Sequence, residues 1–270
     1  MILRPHEVAQ EEISRRVVAN AESISSHVLS VYAANGGKIH HLGSAIALAI
    51  ENRFALMTAA HLLESGRSAE QFFVLSRDFH KTVSLNRRFL KSSDDGDLAI
   101  AGLKDTEFRT LSVSSISYKE FLTLPPAVKG RGVGTVGWPN TKNEINQHRK
   151  LSPTPMFVSG PSVRAADIDC AEELDRKFVY QRYRPKEAIG QDGVAINAPK
   201  LRGLSGGLTV DLGDPLDSNS LLGGGAFPNW HPVGILTDFD SKAKVIRSTR
   251  PHEFLRSCIE NNQLPSLFGG

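Results

Sequence analysis

The 270-residue sequence predicts a mostly β protein, two β-rich halves bracketed by an N-terminal and a C-terminal helix. Three observations predict this. Its 23 glycines and 14 prolines follow no collagen period and suit a turn-rich chain. Short apolar runs alternate with polar turns from residue 27 to residue 249, a spacing that suggests a closed barrel or a sandwich. Helical periodicity stands out at the two ends. With 40% hydrophobic and 23% charged residues, the chain can build a packed core.

Each element has its own signal. Residues 5–25 read as a helix: Pro5 suits a first turn, and Ile13, Val17, Ala21, Ile24 and Val28 recur at three- and four-residue steps. Glu11, Glu12, Arg15 and Arg16 take the other side. Such a helix either packs on the body of the domain or docks a partner. HVLSVYAA then leads into the hairpin signal Asn35-Gly36-Gly37. IHHLGSAIALAI, FALMTAA, QFFVLSR, KTVSLNRRFL and DLAIAGL follow as strands. Residues 104–127 have weaker β texture and end in Pro125-Pro126, as a linker would. The second series is GVGTVGWP, PMFVSGPSV, KFVYQRYR, GGLTVDL, HPVGILTDF and KVIRST. CAEELDRK interrupts it as an added helix or loop, and a long loop runs from Gly213 to Trp230. PHEFLRSCIENN closes the chain as a helix, with Phe254, Leu255, Cys258 and Ile259 as its apolar stripe.

Composition excludes several function classes. A formal net charge of +3, dispersed along the chain, argues against a nucleic-acid surface. No run approaches the ~18 apolar residues of a membrane span. Glu7, Glu11 and Glu12 stand where a secretory leader needs an apolar run. Cys170 and Cys258 make neither a disulfide framework nor a zinc spacing, and His61, His80 and His252 show no metal spacing either. The expectation is a cytoplasmic protein with no membrane partner, no metal and no cofactor.

Three short motifs carry chemistry: Thr58-Ala59-Ala60-His61 at a strand end, Asp97-Leu98-Ala99-Ile100 at a strand start, and Gly203-Leu204-Ser205-Gly206-Gly207. A serine hydroxyl is a poor nucleophile at neutral pH. It needs a base within about 2.6–3.2 Å, and that base needs a third group to fix its tautomer. Histidine, with an ordinary pKa near 6.5, fits the first role, and a carboxylate fits the second. Glycines beside the serine let backbone N–H groups turn toward a developing oxyanion. Each motif alone is weak, but the three together, in the order His, Asp, Ser across two β halves, are specific. Asp94 and Asp95 are rivals for the acid in a shifted register; Asp97 leads because an apolar strand follows it directly. His40 and His41 lack the Thr-Ala-Ala context and read as strand or turn residues. His231, beside a late strand, is a candidate for touching substrate.

With these motifs the chain resembles the trypsin/chymotrypsin-like serine peptidases of the bacterial, disulfide-free type. Gly43-Ser44-Ala45, Thr135-Val136-Gly137-Trp138-Pro139 and Pro232-Val233-Gly234-Ile235-Leu236-Thr237 resemble further strands of that family, and the likeness spans about residues 28–262. It implies two orthogonally packed six-stranded antiparallel β-barrels, with the site between them. His61 and Asp97 would come from the first barrel and Ser205 from the second, with the N–H groups of Gly203 and Ser205 as oxyanion hole. Thr237 falls where family members hydrogen-bond the catalytic carboxylate. Pro199 stands where members that cut after Lys or Arg carry an aspartate. Lys200 and Arg202 lie within reach of a substrate carboxylate, Leu236 and Thr237 line the pocket strand, and Phe239 narrows its mouth. Small or acidic side chains before the cut are therefore expected. Leu204 replaces the aspartate that zymogen-activated members place before the serine.

The implied organisation is an N-terminal helical extension (1–27), a first barrel (28–110), a linker (111–127), a second barrel (128–249) and a C-terminal helix and tail (250–270). The implied activity is serine endopeptidase chemistry on a protein or peptide substrate. A catalytically silent or partner-gated scaffold and an esterase are the alternatives. The N-terminal helix is the candidate contact for a regulatory protein partner.

Overall fold

The computed structural model describes residues 5–67, 69–87, 89–92, 96–123, 129–140, 155–183, 201–216 and 230–268. Helix α1 (Pro5–Ser25) precedes a first sheet made of β1 (Val28–Asn35), β2 (Lys38–Ile50), β3 (Arg53–Ala59), β4 (Gln71–Leu75), β5 (Thr82–Ser84), β6 (Leu90–Lys91), β7 (Leu98–Leu103) and β8 (Ile116–Ser117). Its order is β5-β4-β1-β2-β3-β7-β6, with β8 running parallel to β2. Gly36 and Gly37, at φ +53° and +72°, supply the left-handed pair that a two-residue β1–β2 hairpin turn needs.

This sheet corrects the expected first barrel. Among the described residues it is a curled, open half-barrel, because KTVSLNRRFL does not form one strand but splits into β5 and β6. Strands of three and two residues offer too few ladder bonds to close a ring. The expected linker also carries structure up to residue 123: β8 adds to the sheet and α2 (Tyr118–Leu122) buries Phe121.

The second half is a closed barrel in the order β10-β11-β14-β13-β12-β9, formed by β9 (Gly132–Gly137), β10 (Met156–Val163), β11 (Phe178–Arg182), β12 (Leu208–Gly213), β13 (His231–Asp240) and β14 (Val245–Thr249). All six expected strands are present. CAEELDRK contributes a short 3-10 turn, Glu172–Arg176. Inside the barrel a chain of buried hydroxyls is mutually satisfied. Thr135 Oγ1 donates to Gln181 Oε1 at 2.7 Å, and Thr209 Oγ1 lies 3.0 Å from Thr135 Oγ1 and 2.6 Å from Ser248 Oγ.

Helix α1 spends its apolar face on this barrel. Ile13, Val17, Ala21 and Ile24 are all buried, and the helix lies against β9, β10 and β12. Gly132 makes room for it: a Cβ there would come within 2.9 Å of Ile13 Cγ1. Burying each large aliphatic side chain contributes about 1.5–3 kcal/mol. Arg16, 1% exposed, adds a polar bolt, with Nε 2.8 Å from Glu12 Oε1 and Nη1 donating to the Leu212 carbonyl at 2.7 Å. The helix is thus an integral wall of the second barrel. The described residues end in α3 (His252–Glu260) and α4 (Leu264–Phe268), which rests on β7 where Gly102 has no side chain to obstruct it. No helix among the described residues is long and apolar enough to cross a membrane.

Candidate active site

The β3–β7 ladder positions the first two groups. It ends with Ala59 opposite Leu98, so the next residues leave the sheet side by side. Ala60 N–H donates to the Asp97 carbonyl at 2.8 Å. Asp97 adopts φ +50°, a left-handed conformation that aspartate tolerates better than most residues. From there its carboxylate takes two bonds from one residue. Oδ1 accepts the His61 backbone N–H at 2.8 Å, and Oδ2 lies 2.5 Å from His61 Nδ1. Since a carboxylate oxygen accepts, Nδ1 carries the proton and Nε2 is left as the basic nitrogen. Asp94 and Asp95 fall outside the described residues, and Asp97 is the acid that meets His61.

The hydrogen bond from His61 to Asp97 raises the imidazole pKa above its ordinary 6.5, against the opposing pull of burial. The charges of Asp97, Asp238 and Glu64 raise it further. Asp238 lies on β13, so the second barrel contributes to the field at His61.

The Gly203–Gly207 turn is pinned to the first sheet through Ser44, which is fully buried on β2. Ser44 N–H donates to the Ser205 carbonyl at 2.7 Å and Ser44 Oγ to the Gly203 carbonyl at 3.3 Å. Ser44 O accepts from Thr58 Oγ1 at 2.6 Å, three residues before His61. Gly206, at φ +82°, packs so tightly on Ser44 O and Thr58 Oγ1 that a Cβ would overlap both. From the barrel side, Gly206 N–H donates to Leu236 O at 2.7 Å and Leu236 N–H to Gly207 O at 2.9 Å. The Ser205 hydroxyl is half-buried and has no hydrogen-bond partner among the described residues.

Other expected site residues fall out differently. The Thr237 hydroxyl does not reach Asp97. It lies 3.0 Å from Thr249 Oγ1 and 3.4 Å from the Arg247 carbonyl, turned inside the barrel by the irregularity in β13–β14 pairing between Leu236 and Asp238. The carboxylate is held instead by the His61 backbone N–H, which donates to its Oδ1. Leu236 is buried and Phe239 packs edge-on against Tyr183, ring centroids 5.4 Å apart. Arg202 is exposed, and its carbonyl accepts from Asn140 N–H at 2.9 Å. Pro199 and Lys200 lie outside the described residues. His231 is exposed at the start of β13. Among the described residues no group of three or more His, Cys, Asp or Glu is placed to hold a metal.

Sequence reasoning missed two residues here. His41 read only as a strand or turn residue; it lies on β2, but it is also 4% exposed with Nδ1 2.8 Å from Asn140 Oδ1. Asn140 carried no motif signal of its own beyond following Trp138-Pro139.

Compared as a sequence, the chain matches no protein-family model. It also matches no curated protein. Compared as a structure, it is similar to the MamO protease domain from Magnetospirillum magneticum, at TM-score 0.50 and 14% identity over 88% of this chain and 97% of that one. Also similar are the Rv3671c protease from M. tuberculosis (TM-score 0.48, 16% identity, 90% and 85% covered) and the serine protease domain of the Sesbania mosaic virus polyprotein (0.48, 17%, 83% and 88%). The MamO likeness speaks to the fold: the chain has the architecture of a protease domain.

Proposed function

We propose that the protein is a serine endopeptidase acting through an acyl-enzyme. In this reading Ser205 Oγ attacks the substrate carbonyl while His61 Nε2 takes its proton. Asp97 holds the tautomer and stabilises the imidazolium, and the N–H groups of Gly203 and Ser205 receive the oxyanion. His61 then returns the proton to the leaving amine, and water deacylates the serine by the reverse path.

The observation that carries this reading is the pair of hydrogen bonds between His61 and Asp97, which leaves Nε2 as base just beyond the end of the strand that carries Thr58. Ser44 ties the Ser205 turn to that strand. A catalytically silent or partner-gated scaffold is the second reading, favoured by a Ser205 hydroxyl that has no hydrogen-bond partner among the described residues. A loose nucleophile–base contact is common before substrate binds, so the peptidase reading keeps precedence.

A fluorophosphonate probe separates the two. The peptidase reading expects labelling of the full chain at Ser205, abolished in Ser205→Ala, together with cleavage of a peptide library that falls about 10⁶-fold in the same variant. A wild-type chain that stays folded and unlabelled would select the scaffold. Labelling with ester turnover but no peptide cleavage would select the esterase.

A further inference from the structure

The peptide unit between Arg202 and Gly203 bears the N–H assigned above to the oxyanion. In a trans peptide the carbonyl and the N–H point in opposite directions, so whatever holds the Arg202 carbonyl also aims the Gly203 N–H. That carbonyl is held by Asn140 N–H at 2.9 Å. The next peptide plane is held too, by Ser44 Oγ on the Gly203 carbonyl at 3.3 Å. The Gly203 N–H itself has no acceptor among the described residues, as a group reserved for a substrate oxygen requires.

Asn140 makes a second contact with the same residue. The three heavy atoms nearest to a Cβ built on Gly203 all belong to Asn140: its Oδ1, which would overlap the Cβ, its backbone N at 2.7 Å and its Cγ at 2.9 Å. The side chain therefore lies directly against the Gly203 α-carbon, where the chain takes φ +93°. Its orientation is set from the other half of the molecule. His41, on β2, places Nδ1 2.8 Å from Asn140 Oδ1. An amide oxygen only accepts, so Nδ1 is the donor. The His41 ring is buried and packs edge-on against Tyr32, centroids 5.1 Å apart.

We infer that Asn140, anchored by the buried His41, is a positioning residue that locks the Arg202–Gly203 peptide in the orientation offering the Gly203 N–H to the reacting oxygen. This deepens the peptidase reading and rests on it. Asn140 touches no reacting atom in this scheme. It acts by denying the peptide an alternative orientation, in which the Arg202 carbonyl would lose its donor and turn toward the site.

The test uses the full chain carrying Asn140→Ala, His41→Ala and His41→Asn. Two readouts are taken: the saturation kinetics of fluorophosphonate labelling at Ser205, and the amide resonance of Gly203 in glycine-selectively ¹⁵N-labelled protein. Losing one oxyanion donor outright costs about 10²–10³-fold. A donor that is only misaimed should cost about 10–10²-fold, within that bound. The expected result is a fall of that size in the maximal labelling rate for both alanine variants. Half-saturation and the pH profile should stay unchanged, and the Gly203 resonance should be displaced. His41→Asn, whose amide nitrogen takes the place of Nδ1, should restore both. A folded Asn140→Ala with wild-type labelling and an unmoved Gly203 resonance overturns the inference. If the wild-type chain is not labelled at all, the peptidase reading falls, and the Gly203 resonance alone decides the clamp: unmoved in both alanine variants, the clamp is refuted.

Discussion

Burying His41 should make the fold acid-sensitive. Burial lowers the imidazole pKa to about 4, outweighing the hydrogen bonds to Asn140 and the Gly43 backbone, which raise it. In the unfolded chain the ordinary value is about 6.5. The folded pKa is the depressed one, so between these limits the unfolded state binds more protons and stability falls as pH falls. At about 1.4 kcal/mol per tenfold change in proton affinity, the whole window is worth about 3 kcal/mol. The contribution is fully present above pH ~6.5 and gone below pH ~4. His41→Asn keeps a donor toward Asn140 and removes the titration. Urea melts of both proteins at intervals from pH 7.5 to 4 cancel the contribution of every other group. The difference in unfolding free energy should shift by about 3 kcal/mol in favour of the variant across the window. A difference that stays constant with pH would refute the buried, neutral His41, and with it the anchor assigned to Asn140.

Three further outcomes are expected. Asp97→Asn should lower labelling and turnover by about 10⁴-fold by spoiling the His61 tautomer, while Asp94→Asn and Asp95→Asn leave them near wild type; the reverse pattern in labelling kinetics would move the acid to another register. Because the Asp238 charge helps to raise the His61 pKa, and the base must be neutral to act, Asp238→Asn should move the acid limb of the rate–pH profile to lower pH, and an unmoved limb would remove Asp238 from the site. Ile13→Ala should cost about 2–5 kcal/mol in a urea melt, as for a core side chain, whereas a helix reserved for a partner would lose about 0.5 kcal/mol or less.

How much was legible in the sequence depended on whether a signal was local. The second barrel was readable strand by strand, since each segment alternates or runs apolar between turn residues. The first half was less so. KTVSLNRRFL has the composition of a strand, but only Thr82–Ser84 and Leu90–Lys91 pair, and nothing in the composition reveals where a ladder stops. Val17 and Ile13 announced a helix, while the surface that receives them is set by Gly132 and Gly134, more than a hundred residues away. The site divides in the same way. His61 and Asp97 stood in recognisable contexts at the ends of adjacent strands. Thr237 matched its context equally well, yet its side chain faces Thr249, because strand irregularities reassign which face a residue occupies. His41 and Asn140 are 99 positions apart, and only the approach of the two halves joins them.

Leu204 shows what orders the nucleophile turn. It is fully buried in an apolar cluster with Met156, Val158, Tyr183, Leu236 and Ile246. An ammonium group driven into that cluster would find no carboxylate at position 204, and an unpaired buried charge costs several kcal/mol. A switch that orders the site through such an ion pair therefore has no acceptor here. The turn is ordered by its own backbone bonds, Leu204 N–H to Leu201 O at 3.1 Å and Gly207 N–H to Leu204 O at 2.8 Å, and by Ser44 and Asn140 from outside. Ser44 belongs to the first sheet, and Asn140 follows β9 in the same half as the turn. The two Ser44 bonds, to the Gly203 and Ser205 carbonyls, cross between the halves, whereas the Asn140 N–H bond to the Arg202 carbonyl lies within the second half.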